Sequence, residues 1–300
     1  MRLIKPKVEI INQEPGVEGL FKHMELCART CYKSEDKITE DSARKFIDNV
    51  IVARGHTAML EHGTVYLIID CSGRLLDVAN KYVNNKYSEW TLHPDGVHYC
   101  ITTNYRVLLQ NGWLDDLQYL CEPTEYHVRR ITVRFICDMG VAREFCRHRV
   151  FSFAQESTRY CNYAKDKFGN ELTFIQPCWI TDESLSHWRT VMNSETEWFR
   201  PNNAFPGINM SLHSLEEAED IYLALINEEG WKPQQARNVL PLALKTELIM
   251  TGTDEQWAGF FNLRCARDAH PQARELAIEL RDRMILAGYI NTYDPGSIQV

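Results

Sequence analysis

Between Ile131 and Arg149 the chain changes its period, and that change restricts the folds open to it. Ile131, Val133, Phe135 and Cys137 alternate with Thr132, Arg134, Ile136 and Asp138, the period of two by which a strand serves two faces of a sheet. Gly140 breaks the pattern, and Val141 and Phe145 then stand at i, i+4, so a helix is expected over Val141–Arg149. Arg147, His148 and Arg149 fall near its C-terminal end, where the helix dipole favours cations. No Gly-x-Gly-x-x-Gly or Walker-type loop occurs in the chain, so no Rossmann cradle holds a cofactor here. The expected fold class is α/β (α+β), a mixed or antiparallel sheet flanked by helices.

The stretch from Arg147 to Tyr160 carries the most chemistry. Arg147, Arg149 and Arg159 offer guanidinium forks suited to phosphate or carboxylate, with the Ser152 and Ser157 hydroxyls beside them. Basic runs are more often solvated surface, so the composition alone decides little. The net charge of −8 argues against a general nucleic-acid binder, which needs a spread basic surface. A local cationic pocket on an acidic protein would instead select small anions. A chain of 300 residues with 44% hydrophobic content can bury a sizeable core. No apolar run reaches the ~20 residues of a membrane span, and Met1–Lys7 has no signal-peptide core. No membrane association and a cytoplasmic location are expected. The ten cysteines form no Cys-x-x-Cys pair, so they read as reduced core residues and no metal site is expected.

Further elements can be placed along the chain. Residues 39–54 read as an amphipathic helix capped by Thr39, with Ala43, Phe46, Ile47, Val50 and Ile51 as its apolar stripe and Gly55 as its end. His56, Glu61 and His62 then precede a strand at Thr64–Ile69. Residues 71–130 are less informative: a short helix at Asp77–Tyr87, strand-like alternation at His98–Leu109, and a turn at Asn111-Gly112. Glu171–Trp179 reads as a strand holding Pro177-Cys178-Trp179, a cysteine with no histidine or cation beside it to activate the thiol. Ser214–Glu217 has the form of a capping box opening a helix closed by Gly230. Gln234–Leu242 is a helix kinked or bounded by Pro241. Asp254 is a candidate cap for a helix bearing Trp257, Phe260 and Phe261. Arg237 and Arg264 both sit among apolar neighbours, where a guanidinium needs a partner. Pro271 opens a last helix reaching about Ala287.

Arg147-His148-Arg149, seven residues, then Ser157, with Thr158-Arg159-Tyr160 following, resembles the signature of the flavin-dependent thymidylate synthases. Three further blocks are similar in the same order: Ala28–Tyr32 loosely, Gly55–Ile69 through its Gly-His-x-x-x-x-Glu-His segment, and 234–275 through Ala-Arg-x-x-Leu-Pro and x-x-Leu-Arg. The resemblance implies a single domain over 1–300, with an insertion at about 71–130 for which peripheral packing or a subunit contact is the favoured role. It implies transfer of a one-carbon unit from 5,10-methylenetetrahydrofolate to carbon 5 of dUMP, with FAD reduced by NADPH. It also implies a homotetramer with active sites between subunits.

By the same resemblance Arg264 is catalytic, stabilising charge that develops on a pyrimidine nucleophilic enough to need no enzyme thiol. Glu144, Arg147, Gln155, Ser157, Thr158, Arg159 and Arg237 join it in holding dUMP. His56, Arg147, His148, Arg149 and Gln155 hold FAD. Glu61 and His62 anchor the start of their strand. Ser157 has no adjacent base and reads as a ligand rather than a nucleophile. The chain departs from the family in Ala154-Gln155, where Asn-Glu is usual, in Glu144 for Gln and in Thr253 for Asn. A flavin- and folate-dependent dUMP hydroxymethyltransferase and a non-enzymatic nucleotide-binding module are the alternatives, with an RNA-binding basic loop disfavoured by the net charge.

Overall fold

A computed structural model describes residues 1–70, 75–191 and 204–290. Strands β1 (Arg2–Ile4) and β2 (Lys7–Ile11) lead into helix α1 (Gly16–Tyr32). Helix α2 (Ser42–Phe46) continues through a π-helical turn at Ile47–Val52, and a 3-10 stretch at Thr57–His62 delivers β3 (Thr64–Asp70). An excursion of α3 (Leu75–Val83), β4 (Glu89–Leu92), β5 (His98–Asn104) and α4 (Tyr105–Asn111) precedes β6 (Arg130–Asp138). Then follow α5 (Met139–Phe145), β7 (Ser152–Gln155), β8 (Thr173–Ile175), α6 (Asp182–Val191) and α7 (Pro206–Asn227). The last elements are α8 (Pro233–Ala236), β9 (Lys245–Thr253), α9 (Asp254–Arg264) and α10 (Pro271–Leu286).

The alternating segment lies at the centre. β6 pairs antiparallel with β9 from Arg130↔Thr253 to Asp138↔Lys245, and β2 and β7 add to the outer edges in the order β2-β6-β9-β7. A second antiparallel sheet has the order β3-β5-β4, and β1 pairs parallel with β8. The architecture is the expected α/β one.

The two faces of the central sheet differ in chemistry. On one, Val133, Phe135, Leu248 and Met250 are fully buried with Trp257, Phe260 and Phe261 of α9 and Leu276 and Leu280 of α10. The Trp257 indole donates to the Ile131 carbonyl at 3.1 Å, so its polar edge is satisfied within an apolar layer. Truncating such a ring costs about 3–5 kcal/mol. On the other face a buried polar chain runs His23–Thr132–Thr251–His62, with contacts of 3.1, 2.8 and 2.8 Å. It ties α1 and the 57–62 turn to the sheet. Gly252 is required by packing: a Cβ there would lie 2.5 Å from the Phe151 ring.

Several sequence expectations are corrected. The helix expected over 39–54 begins at Ser42, because the Ser42 hydroxyl engages Glu25 and the Thr39 backbone, and Thr39 caps nothing. The His98–Leu109 alternation stops at Asn104, whose side chain accepts from Val107 N–H and starts α4. The Val141–Arg149 helix ends at Phe145, so the basic triplet lies in the turns beyond it. Within the Arg147–Tyr160 stretch, Ser152 opens β7. Only Thr173–Ile175 of the Glu171–Trp179 segment pairs as a strand. The Ser214 capping box lies inside α7, which starts at Pro206, and its hydroxyl donates to Ser211 O. α8 and a 3-10 turn at Arg237–Val239 end before Pro241. Thr253, not Asp254, caps α9, accepting from Gln256 N–H while Gln256 reaches back to Thr253 N–H. Cys71 lies outside the described residues, and the described cysteines are free thiols. No helix among the described residues is long and apolar enough to cross a membrane.

Candidate active site

The turn after α5 is held from both ends. The Asp138 carboxylate caps α5 by accepting from Val141 N–H at 2.8 Å and also accepts from the Gln272 amide at 2.9 Å, tying α10 to the same point. One turn further on, Arg264 at the end of α9 donates to the Glu144 carboxylate at 2.7 Å, to the Glu144 carbonyl at 2.8 Å and to His148 Nε2 at 2.9 Å. An arginine has no lone pair to give, so His148 must accept through Nε2 and stay neutral. Burial first, then the Arg264 charge, push its pKa down to about 4. Glu144, His148 and Arg264 are thus one rigid cluster. The partner that Arg264 required is Glu144.

A second group gathers around Ser157. Its backbone N–H donates to Cys31 O at 3.1 Å, and its hydroxyl accepts from Arg159 N–H at 3.3 Å. The Arg159 guanidinium lies over Tyr160, whose ring is 5.3 Å from that of Tyr32. The Tyr32 hydroxyl contacts His56 Nδ1 at 2.5 Å, so His56, Thr158 and Arg159 belong to one neighbourhood. Among the described residues no base is hydrogen-bonded to the Ser157 hydroxyl. Gln155 points its amide at Thr246 Oγ1, 3.4 Å away. Cys178 is exposed, and partial desolvation of its thiol, with the Glu275 charge, raises its pKa, the reverse of activation.

Arg149 lies on the wall of a cavity of ≈ 400 Å³ between the β3–β6 excursion and the end of β9, with Arg106, Arg130, Ser152, Thr253 and Gln256. Arg130 is the least obvious member. It donates to Glu61 O at 3.0 Å and lies 3.4 Å from both Thr64 Oγ1 and Ser152 Oγ. Among the described residues no carboxylate is within ion-pair distance of it, although burial lowers its pKa from the usual guanidinium value. Glu61 is instead engaged by Arg106, and Arg106 Nε and Thr102 Oγ1 find no partner among the described residues. A half-buried guanidinium with no ion-pair partner, in a cavity whose cations outnumber its carboxylates, is what a site for an anion presents. Glu61 and His62 do anchor the strand start, His62 through Thr251.

At the other end of β9 sits a network that sequence reasoning missed. Lys245 donates to Glu156 at 2.9 Å and to Glu247 at 2.7 Å, and Lys33 reaches Glu247 at 2.8 Å and Glu35 at 3.0 Å. Tyr163 donates to Glu156 at 3.0 Å. Glu156 is buried between Gln155 and Ser157, so the network fixes the backbone of both. Only the strong charge alternation of Lys245-Thr-Glu247 hinted at it. Arg147 and Arg237 are exposed, Arg237 on the turn packed against α7. The expectation that Arg237, flanked by apolar residues, needs a partner is corrected: its neighbour Ala236 is buried while Arg237 itself is exposed to solvent. A single chain therefore joins Arg264 to Glu144 and His148, places Arg149 in the cavity, and leaves Arg237 outside both groups.

Fold and site together define an antiparallel-sheet α/β protein with a guanidinium-walled cleft. Residues 123–286, more than half of the chain, match the family model described as thymidylate synthase complementing protein, and the chain belongs to that family. It is 27% identical over 141 residues to a flavin-dependent thymidylate synthase of Geobacter sulfurreducens, covering 47% of this chain and 50% of that one. It is 27% identical over 150 residues to that of Pyrococcus furiosus, covering 49% and 51%. With the Synechocystis sp. enzyme it shares 28% identity over 200 residues, covering 63% and 84%. The chain thus spans about half the length of the first two of these relatives. It is also similar, at a TM-score of 0.43 and 14% identity, to a UMP/dUMP methylase PolB from Streptomyces cacaoi bound with 5-Br dUMP, covering 95% of this chain and 93% of that one. The His56 block lies before the matched residues, and the two arginine blocks lie within them.

Proposed function

We propose that the chain is a flavin-dependent thymidylate synthase. It would transfer the one-carbon unit of 5,10-methylenetetrahydrofolate to carbon 5 of dUMP, giving dTMP, with FAD reduced by NADPH. The observation that carries this reading is the Glu144–His148–Arg264 cluster beside the Arg-His-Arg turn, in a chain of this family. Bound flavin would supply the hydride, and the protein's part is placement and electrostatics. Arg264 is held by three hydrogen bonds, so its position is set before substrate arrives and its charge can face a developing pyrimidine anion without reorganisation. Ser157, Thr158 and Arg159, fixed by the Glu156 network, would hold the nucleotide with Arg147, Gln155 and Arg237. Arg149, with Arg130 and His148, would hold FAD, and His56 would shape the flavin side.

Residues 1–300 are read as one domain, working in the cytoplasm as a homotetramer. Its active sites would lie between subunits, which is how an exposed Arg237 could reach a nucleotide held by another copy. The test is the absorbance spectrum of purified protein, then its bleaching by NADPH with and without dUMP. A yellow protein that bleaches and forms dTMP when folate is added supports the reading; a colourless chain that cannot take up FAD refutes it. Arg264→Ala should lower dTMP formation by about 10²–10³-fold or more, as loss of a preorganised charge-stabilising donor does. Undiminished turnover in that variant would remove Arg264 from its role.

A further inference from the structure

The excursion between β3 and β6 reads in sequence as an insertion without chemistry, yet its first turn rims the cationic cavity. Lys86 and Tyr87, between α3 and β4, are both exposed there, Tyr87 at 64%. The Lys86 ammonium lies 4.8 Å from the centre of the Tyr87 ring. Below them Arg106, Arg130 and Arg149 line the walls, and against these four cations stand Glu61 and Glu89, which leaves two positive charges over. A diphosphate diester carries two negative charges, and an exposed aromatic ring beside a cationic groove is a stacking platform for a base.

We propose that Lys86 and Tyr87 clamp the adenosine end of the FAD, the diphosphate lying toward Arg130 and Arg149 and the adenine against Tyr87. This rests on the flavin reading above and gives the excursion a role beyond packing. The clamp addresses only the part of FAD that FMN lacks, and that sets the experiment. Apo-protein is titrated with FAD and, separately, with FMN, following flavin fluorescence, in the wild type and in Tyr87→Ala, Tyr87→Phe and Lys86→Ala.

Tyr87→Ala should raise the Kd for FAD about 10-fold, as loss of one base–aromatic stack does, and Lys86→Ala by a smaller factor. Tyr87→Phe should keep wild-type affinity, and FMN binding should be unchanged throughout. Both side chains are exposed, so the variants should melt with the wild type. An unaltered FAD Kd in Tyr87→Ala, or equal weakening of FAD and FMN, overturns the clamp while leaving the flavin reading in place. A wild-type protein that binds neither flavin overturns both.

Discussion

The two ends of β9 carry charged clusters in opposite states, one built on lysines and the other chiefly on arginines. At Lys245 every charge is answered: Lys245, Lys33, Glu156 and Glu247 close on one another with Tyr163, at 2.7–3.0 Å. At Thr253 the cavity holds more cations than carboxylates, and the oxygens that Arg130 donates to are all neutral. A cluster that satisfies itself fixes backbone. One that is left short of anions has its remaining affinity available to a ligand.

The largest expected effect is at the closed end. Glu156→Ala takes away one of the two carboxylates that hold Lys245 and leaves the buried Tyr163 hydroxyl without its acceptor, which should cost about 1–3 kcal/mol of unfolding free energy in urea. A loss below about 1 kcal/mol would mean the network is decoration on the surface scale of ion pairs. Acid should dissect the same end next. Burial alone would raise the Glu247 pKa, but Lys245 and Lys33 outweigh it and hold it at about 2 against a usual 4.5. The unfolded chain takes up that proton first, so the stabilisation is complete above pH 4.5 and is lost as pH falls from 4.5 toward 2.

His23 and His62 add an earlier loss. Burial, with Arg130 contributing to both, lowers them to about 4 and about 3, so the unfolded imidazoles gain their protons from pH 6.5 downward while the native ones do not. Urea midpoints measured against pH should show both limbs. Lys245→Met should flatten the limb below pH 4.5 and spare the one above it; a profile unchanged by that substitution would disconnect Glu247 from the network.

The smallest effect should be at the open end. Arg130→Met removes a half-buried guanidinium that has no ion pair and should shift stability by less than about 1 kcal/mol in the absence of ligand. A loss as large as that of Glu156→Ala would make Arg130 a structural residue and erase the contrast between the two ends.

What could be read from the residues in order was local. The alternation at 131–138, the helical spacing of Trp257, Phe260 and Phe261, Pro271 at a helix start and the Arg-His-Arg pattern each depend on neighbours within a few positions, so period and spacing expose them. Partners far apart in sequence could not be seen. Ser152–Gln155 becomes a strand only because β9 offers it an edge. Arg264 finds Glu144 across 120 positions, and Lys245 finds Glu156 across 89. Nothing beside Arg130 in the chain sets it apart, and only the fold gives it the Glu61 carbonyl while the Glu61 carboxylate goes to Arg106. Sequence by itself determined the types of the strongly patterned elements, the α/β class and the family signature, because these follow from short-range geometry and composition. Tertiary structure decided which charges meet and which are left over, because electrostatic pairing depends on distance in space and on burial, and neither is written along the chain.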